Sequence, residues 1–437
     1  MKIKNAVLFV CGQVGIMMLA RYFFQWILAF CSQKPLATSE LTLLSVSAVG
    51  AVLLGFRIFD GVTDPIAGSL ADRWVSSGRE RRTLLWYTAL VPAIGLVMCF
   101  TPHAEMAMTW RWLVLSAGMF VFFIGYTIYA IPYWSLVGDY TQGHEEDRNL
   151  LSTLLGVGIL IATAIGFILT PLMIDAYGYQ SSALYLAVIS IPLMIAPYFA
   201  VPDHLKTSPI QSDTESSSPT DASMKSQWKI FVRALTHPRF RATLCLFAGS
   251  QMSFTVMTAA APFIAVDLLG GTKSDVSLLL GPLLGLALPA SIFLPWFTRK
   301  VGWEKGIMWS CLGLGLVYIG VGGVGVSIIG SPLTTACIIF ALGGPMVAAL
   351  LGLEGSAVTA CADDEDDEAV GIYFGVYNLV VKAFNGVAIA ITGVFAEMAY
   401  QGSTPNVWAI RMMAMSAGGM LLLGLLAYVI LRPRQPS

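Results

Sequence analysis

Charged residues are scarce in this chain of 437 residues. They make up 12% of it, about half of the share that is typical of soluble proteins. Disordered chains, coiled coils and nucleic-acid-binding proteins all need many more charges, so these three classes are excluded. The net charge of −1 gives no overall field that would attract a polyanion. We therefore expect no nucleic-acid partner.

Signatures of catalysis and of bound cofactors are also missing. The seven cysteines form no CxxC pair, and most lie in apolar runs, where a thiol behaves as a small hydrophobic group. No GxxxxGK[ST] pattern indicates ATP binding. The sequence offers no nucleophile with a neighbouring base and no set of metal ligands. We predict that the chain is not an enzyme and that it holds no cofactor, and no metal beyond a coupling ion such as Na⁺.

Apolar sequence is what the chain has in excess. Apolar residues make up 56% of it, and the mean hydropathy is +0.74. A membrane-spanning helix needs about 20 mostly apolar residues. The runs lack the alternation of outer-membrane barrel strands and are too long for them. Twelve stretches of sufficient length occur, near residues 6–31, 40–70, 83–101, 111–135, 150–173, 181–201, 242–266, 276–298, 306–329, 332–353, 370–398 and 407–431.

A polar segment divides these stretches into two groups of six. It falls at residues 202–240 and is rich in Ser, Thr and Pro, which is typical of a flexible linker. We predict an all-α membrane protein of twelve transmembrane helices, with one six-helix bundle at residues 1–201 and the other at 241–437. Two such halves are the plan of many secondary transporters, which bind substrate between the halves near the middle of the membrane.

Lysine and arginine predict the orientation, because cytoplasmic segments of membrane proteins are enriched in them. If the N-terminus is cytoplasmic, most of the 25 basic residues fall in cytoplasmic segments. We therefore predict a multi-pass inner-membrane (plasma-membrane) protein with both termini in the cytoplasm, and we expect a monomer. The exceptions are four residues on the opposite side and three within spans: Lys34, Arg111, Lys273, Arg411, Arg21, Arg57 and Lys382.

Two short basic turns occupy matching positions in the two halves, at residues 68–82 and 293–305, and a gate would include 68–82 and 299–305. Asp72 and Arg73 of the first turn are placed to pair across the two bundles, which would close the cytoplasmic side. We therefore predict that this region forms a gate. The gating candidates are Arg57, Asp72, Arg73 and Arg299.

Two acids lie in the second predicted span, where a charge costs at least about 2.5–3.5 kcal/mol. Asp60 and Asp64 are four residues apart and share one helical face. Their carboxylates can share a proton, pair with a base or hold a cation, with Thr63 as a further oxygen donor. Alternatively, Arg57 neutralises Asp60 as a structural ion pair. That alternative leaves Asp64 unexplained, and we favour a cation site.

A lysine lies near the middle of the eleventh predicted span. Lys382 shares a helical face with Asn378 and Asn385. A buried ammonium group needs a carboxylate partner or an anionic ligand. We predict that Lys382 and Asn378 bind substrate, and the alternative is an ion pair of Lys382 with Asp60 or Asp64.

The first predicted span carries a polar stripe of Gln13, Arg21 and Gln25. An arginine can hold a carboxylate, a phosphate or a sulfonate through two parallel hydrogen bonds. We predict that these three residues bind substrate. The alternative is a salt bridge from Arg21 to Asp60 or Asp64, and the spacing does not decide between the two.

Three stretches of the chain resemble a known family of transporters. They are RIFDGVTDPIAGSLADR (57–73), YTIYAIPYWSLVGDYT (126–141) and VYNLVVKAF (376–384). They are similar to the glycoside–pentoside–hexuronide:cation symporters, the melibiose-permease group of the major facilitator superfamily. The resemblance extends over nearly the whole chain and implies the major facilitator fold.

The resemblance also implies roles for individual residues. It implies a site for Na⁺ or H⁺ in which Thr127 of the fourth span joins the acids of the second span. It implies that Trp134 packs against the substrate and that Lys382 is the family's eleventh-span lysine. The implied cation-binding residues are Asp60, Thr63, Asp64 and Thr127.

The chain departs from the sugar-binding members of this family at two acids. Gln13 and Val14 stand where those members have an acid in the first span, and Ala130 stands where they have one in the fourth. Their fifth-span arginine has no clear counterpart, and Arg21 adds a positive charge instead. We infer that the substrate is not a neutral disaccharide and that an anionic solute fits better, such as a hexuronide, a sulfonated or phosphorylated compound, or a lysophospholipid.

Together these features predict a secondary symporter that couples Na⁺ or H⁺ to a small organic solute, sugar-like or anionic, by alternating access. Two alternatives stay open: an exporter of drugs or metabolites by proton antiport, and a lysophospholipid symporter. The sequence does not decide the identity of the substrate, the coupling ion, the direction or the stoichiometry.

Overall fold

The structure is a computed structural model, and it describes residues 2–34, 40–141, 145–201, 232–324, 330–361, 367–402 and 404–432. These residues are nearly all helical. Most of the predicted linker, residues 202–231, lies outside the described residues. The main α-helices are α1 (Ile3–Cys31), α2 (Val46–Ser76), α3 (Thr83–Thr88), α4 (Leu90–Cys99), α5 (Met108–Thr141), α6 (Glu145–Ala164), α7 (Thr170–Ile195), α8 (Pro238–Phe263), α9 (Val276–Val301), α10 (Trp303–Gly322), α11 (Pro332–Thr359), α12 (Asp367–Ala399) and α13 (Val407–Leu431).

The helices account for the twelve predicted membrane crossings. Within the described residues, ten helical stretches are long and apolar enough to span a bilayer. One of them, Leu150–Phe199, has 50 residues, or about 75 Å at 1.5 Å per residue, which is more than two bilayer cores. It breaks at Gly178, whose φ of 77° and ψ of 173° are not helical, and therefore supplies two spans. The shorter apolar stretch Thr83–Cys99 supplies one more.

The helices group into two compact units. The first comprises Met1–Ser45 and Val62–Thr214, and the second comprises Val46–Gly61 and Glu215–Ser437. Helix α2 is thus divided, and its first half packs with α12 in the second unit. Glycines allow this close approach, because a methyl group at Gly393 of α12 would lie 2.7 Å from the carbonyl oxygen of Val46.

Large aromatic side chains fill the core of the first unit. Tyr22 and Trp26 of α1 are fully buried, and each of their polar atoms has a partner. The Tyr22 hydroxyl donates to the carbonyl of Tyr179, and the Trp26 indole N–H donates to Thr170 Oγ1 at 2.8 Å. Aromatic burial of this kind contributes a large apolar area without leaving a polar group unsatisfied. It fixes α1 against α7.

Helices α4 and α5 approach each other closely at Gly125. A methyl group there would lie 2.5 Å from the backbone nitrogen of Pro92, which cannot move without shifting α4. We therefore expect Gly125→Ala to destabilise the protein by about 1–3 kcal/mol, the usual cost of overpacking. Gly138, on the same helix, has no atom within 4 Å of its added methyl group and serves as the matched control.

Thermal unfolding of the purified protein in detergent, followed by tryptophan fluorescence, measures the difference. Gly125→Ala should lower the melting temperature, while Gly138→Ala should leave it unchanged or raise it. Equal melting temperatures for the two variants would contradict the close α4–α5 contact.

Candidate functional site

Asp60 is the most deeply buried acid of the predicted site. Its side chain has 0% exposure, and its Oδ2 accepts from Arg57 Nη1 at 3.0 Å and from Lys382 Nζ at 3.1 Å. These residues belong to α2 and α12, both within the second unit. The two ion pairs that the sequence left open as alternatives, with Arg57 and with Lys382, therefore both form.

Two cationic groups share the Asp60 carboxylate. One carboxylate faces two cationic groups, whose side chains are only 12% and 15% exposed for Arg57 and Lys382. A buried charge is costly unless it is paired and hydrogen-bonded. Asp60 therefore stabilises both cations, and any ion that competes with one of them for this carboxylate changes the balance of charge.

The other predicted cation ligands lie beyond Asp60 along the chain. Thr63 and Asp64 are half-buried in α2, and Thr127 of α5 is buried. All three belong to the first unit, whereas Asp60 belongs to the second. The two carboxylates of the predicted pair therefore differ in surroundings, since Asp60 is sealed from solvent and Asp64 is partly accessible.

Two of the predicted substrate residues are in contact in the first unit. Trp134 Nε1 donates to Gln13 Oε1 at 2.9 Å, so this hydrogen bond fixes the indole on α5 against α1. Further along α1, Gln25 is only 2% exposed, and within the described residues neither its amide oxygen nor its amide nitrogen has a hydrogen-bond partner. A buried amide in this condition is uncommon.

The polar stripe of α1 faces glycines of the fifth span. A methyl group at Gly158 would lie 2.6 Å from Gln13 Cβ, and one at Gly166 would lie 2.9 Å from Arg21 Cβ. Gln13 and Arg21 are eight residues apart on α1, and Gly158 and Gly166 are eight residues apart on the fifth span. The two helices therefore run side by side, with polar residues of α1 against glycines. A π-helix at Ile165–Leu169 includes Gly166, and π-helical turns often mark functional sites.

The two asparagines that share a face with Lys382 on α12 differ from each other. Asn378 is exposed. Asn385, which shares its face with Lys382, accepts at Oδ1 from the hydroxyl of Thr255 on α8 at 3.0 Å. The polar face of α12 therefore makes contacts with α2 at Lys382 and with α8 at Asn385.

Two of the four predicted gating residues, Arg57 and Asp72, form ion pairs. Asp72 accepts from Arg81 at 3.0 Å, and Arg81 also donates to Asp139 at the end of α5, again at 3.0 Å. This network lies within the first unit and joins α2 to α5. Arg73 and Arg299 are exposed. The predicted pairing across the two bundles stays a prediction.

One buried acid escaped the sequence analysis. Glu354 lies in α11, where it accepts hydrogen bonds from Gln251 and Tyr377. The predicted tenth span ended at residue 353, which placed Glu354 in a loop, whereas α11 continues to Thr359. The signal that could have found it is the presence of a single acid among the apolar and small residues that precede the acidic run at 363–368.

Comparison with known proteins places these features in context. A family model described as MFS/sugar transport protein matches residues 8–433. The chain is 24% identical over 231 residues to the inner membrane symporter YicJ of Escherichia coli (strain K12), covering 51% of this chain and 48% of YicJ. It is 30% identical over 119 residues to the uncharacterized symporter YjmB of Bacillus subtilis (strain 168), covering 27% and 26%. The matched region thus spans about half of YicJ and about a quarter of YjmB.

Solved structures confirm the fold. An auto-inhibited POT family peptide transporter superposes with a TM-score of 0.68 at 11% identity, covering 99% of this chain and 98% of that chain. The nucleoside transporter NupG superposes with a TM-score of 0.65 at 12% identity, covering 98% and 99%. At such low identity the likeness shows the fold alone. The predicted twelve-helix major facilitator fold is therefore confirmed.

The ion pairs at Asp60 predict that loss of the carboxylate destabilises the protein more than loss of the Lys382 ammonium. Asp60→Asn removes the carboxylate that Arg57 and Lys382 share, whereas Lys382→Met leaves the ion pair of Asp60 with Arg57 in place. We expect Asp60→Asn to destabilise the protein by about 3–5 kcal/mol, as is usual when one partner of a buried pair is lost, and Lys382→Met to cost less. The double variant should recover part of the loss of Asp60→Asn, because it contains one buried cation fewer.

Melting temperatures of the three variants in detergent measure these differences. Asp175→Asn, an exposed acid of α7, is the matched control and should have no effect. A double variant that is less stable than Asp60→Asn would show that Lys382 does not depend on this carboxylate.

Proposed function

The chain belongs to the family described as MFS/sugar transport protein, and from that premise we propose that it is a cation-coupled symporter of a small organic solute. It is a multi-pass membrane transporter and not an enzyme. Its curated relatives are named as symporters, which supports movement of the solute together with an ion. The proposed ion is Na⁺ or H⁺, bound at Asp60, Thr63, Asp64 and Thr127.

The observation that carries the proposal is the position of Asp60 between Arg57 and Lys382. A cation that binds at Asp60 competes with the Lys382 ammonium for the same oxygen. When the ion takes this place, Lys382 loses its contact with Asp60, and an anionic group near its ammonium becomes favourable. An anionic group on the solute supplies that partner.

This exchange couples the two ligands. The ion favours the solute because it releases Lys382, and the solute favours the ion because it holds Lys382 away from Asp60. Such reciprocity is required by thermodynamics whenever one ligand changes the affinity for another. Coupling of this kind needs no chemical reaction. It needs only that the two binding events stabilise the same arrangement of α2 and α12.

The proposed solute is sugar-like, anionic or both. Gln13 and the indole of Trp134 offer the first unit's hydrogen-bonding and stacking surface, and Arg21 and Gln25 lie further along α1. Arg21 and Lys382 each supply a positive charge for an anionic group. The family description includes sugar transport, which supports a sugar-like solute. An acidic sugar combines both properties.

The proposed location follows the distribution of basic residues. We place the protein in the inner (plasma) membrane as a monomer with both termini in the cytoplasm. The name of the Escherichia coli relative supports this membrane.

Uptake into proteoliposomes tests the proposal. The probes are glucuronate, melibiose and a lysophosphatidylcholine, each supplied with an inward Na⁺ gradient, an inward proton gradient or no gradient. We expect glucuronate to accumulate only when one of the two cation gradients is present. Accumulation of the lipid instead would favour the lysophospholipid alternative, and outward movement against a proton gradient would favour an exporter. Equal uptake with and without the Na⁺ and proton gradients would contradict coupling to a cation.

Asp64→Asn is the sharper test of the ion site, because it leaves the buried pairs of Asp60 in place. We expect it to reduce gradient-driven uptake by at least about tenfold, the factor that corresponds to 1.4 kcal/mol. The exposed Asp175→Asn is the control and should transport normally. Full gradient-driven uptake by Asp64→Asn, in a protein inserted at wild-type levels, would rule out the assignment.

A further inference from the structure

Glu354 is a membrane-embedded acid that the proposed exchange at Asp60 does not use. It is the only charged residue in the 28-residue helix α11. It lies five residues before the end of that helix, or about 7.5 Å at 1.5 Å per residue. The residue is half-buried.

Three helices of the second unit meet at this carboxylate. Gln251 of α8 donates its amide N–H groups to Oε1 at 3.0 Å and to Oε2 at 2.8 Å. The Tyr377 hydroxyl of α12 donates to Oε1 in a short hydrogen bond. Both partners are neutral. Within the part of the chain that the structure describes, no lysine, arginine or histidine nitrogen lies within 4.0 Å of the Glu354 carboxylate.

Among the charged and titratable groups of the helices packed against α11, Tyr377 contacts the Glu354 carboxylate. Helices α8, α9, α10 and α12 all contact α11. Tyr377 is the titratable group that faces Glu354 from α12, and Lys382 on that helix binds Asp60. The basic residues at the ends of these helices all lie more than 4.0 Å from the Glu354 carboxylate: Arg239 and Arg241 of α8, Arg299 and Lys300 of α9, and Lys305 of α10.

Glu354 and Asp60 therefore have opposite electrostatic surroundings. Asp60 accepts from two cationic side chains, those of Arg57 and Lys382. Within the described residues, Glu354 accepts only from the neutral side chains of Gln251 and Tyr377. The two carboxylates therefore differ in their partners, and only those of Glu354 can both donate and accept hydrogen bonds.

The neutral partners of Glu354 can serve both of its forms. A tyrosine hydroxyl donates to a carboxylate and can accept from a carboxylic acid, and an amide offers both a donor and an acceptor. When Glu354 gains or loses a proton, both partners can therefore stay hydrogen-bonded to it. An ion pair or backbone donors would not have this property, because ammonium, guanidinium and backbone N–H groups cannot accept.

We propose that Glu354 is a proton-binding site of this transporter, separate from the carboxylates of α2. The proton binds to a carboxylate oxygen from the aqueous side reached at the end of α11, and Gln251 and Tyr377 hold the acid and the carboxylate alike. That proton binding is a step of the transport cycle rests on the proposed function. The site itself rests only on the contacts of α8, α11 and α12.

Infrared spectroscopy of the purified full chain in lipid nanodiscs tests the site without any substrate. Protonated and ionised carboxyl groups absorb at different frequencies, so a pH titration follows each one. We expect the wild type to show a carboxylic-acid band that grows as pH falls and that disappears in Glu354→Gln. Asp267→Asn is the matched control, since the Asp267 carboxylate also accepts from a tyrosine hydroxyl, that of Tyr400. It should leave the Glu354 band in place.

A second variant keeps the proposal testable if Glu354→Gln does not fold. Tyr377→Phe removes a hydrogen bond that stabilises the carboxylate, so the band should remain and its midpoint should move to higher pH, by about one unit. A purely structural role for Glu354 would not produce this shift. Identical titrations for the wild type and Glu354→Gln, or an unmoved midpoint in Tyr377→Phe, would overturn the proposal.

Glucuronate uptake then separates this proposal from the one on which it partly rests. If Glu354 binds the proton of a transport step, Glu354→Gln should lose the pH dependence of uptake while Asp64→Asn loses the response to the cation gradient. An infrared band that behaves as expected in a protein without gradient-driven uptake would refute the symport proposal and retain the proton site. Unaltered pH dependence of uptake in Glu354→Gln would refute its part in the cycle.

Discussion

The contact of one buried carboxylate with two cations is the constraint on which the rest of this account depends. Asp60 lies out of reach of solvent, and it holds Arg57 of its own helix and Lys382 of α12. Loss of one partner of a buried ion pair is strongly destabilising. The first half of α2 therefore has an electrostatic reason to stay with α12, in addition to the close glycine contacts between the two helices. Any ion or solute that acts on transport through this site must act through the same three charges.

Three acids of the second unit, Asp60, Glu354 and Glu397, have different roles because their hydrogen-bond partners differ. Asp60 accepts from an arginine and a lysine. Glu354 faces an amide and a hydroxyl, which can hydrogen-bond to both the neutral and the ionised form. Glu397 accepts from the backbone N–H groups of Val46 and Ser47, so it caps the first turn of α2, a role that a carboxylate performs well at a helix N-terminus.

The sequence predicted the fold well and the contacts less well, for a physical reason. Apolar runs of about 20 residues are a local property, so the membrane spans could be read directly. The i, i+3 spacing likewise offered Arg57 as a partner of Asp60. The bond from Lys382 joins residues far apart in the chain, and no spacing within a single helix could distinguish that bond from an anionic ligand. Glu354 was missed because α11 extends past the point where hydropathy falls, and the packing against α8 and α12 that accompanies this extension is not encoded locally.

Equilibrium binding of ²²Na⁺ across a range of pH, in the wild type and in Lys382→Met, tests the central claim most directly. If the coupling cation and the Lys382 ammonium compete for Asp60, removal of the ammonium should raise the affinity for the cation, seen either as tighter Na⁺ binding or as a shift of its inhibition by protons. The pair of Asp60 with Arg57 stays intact in this variant. Identical binding curves for the two proteins at every pH would contradict the claim.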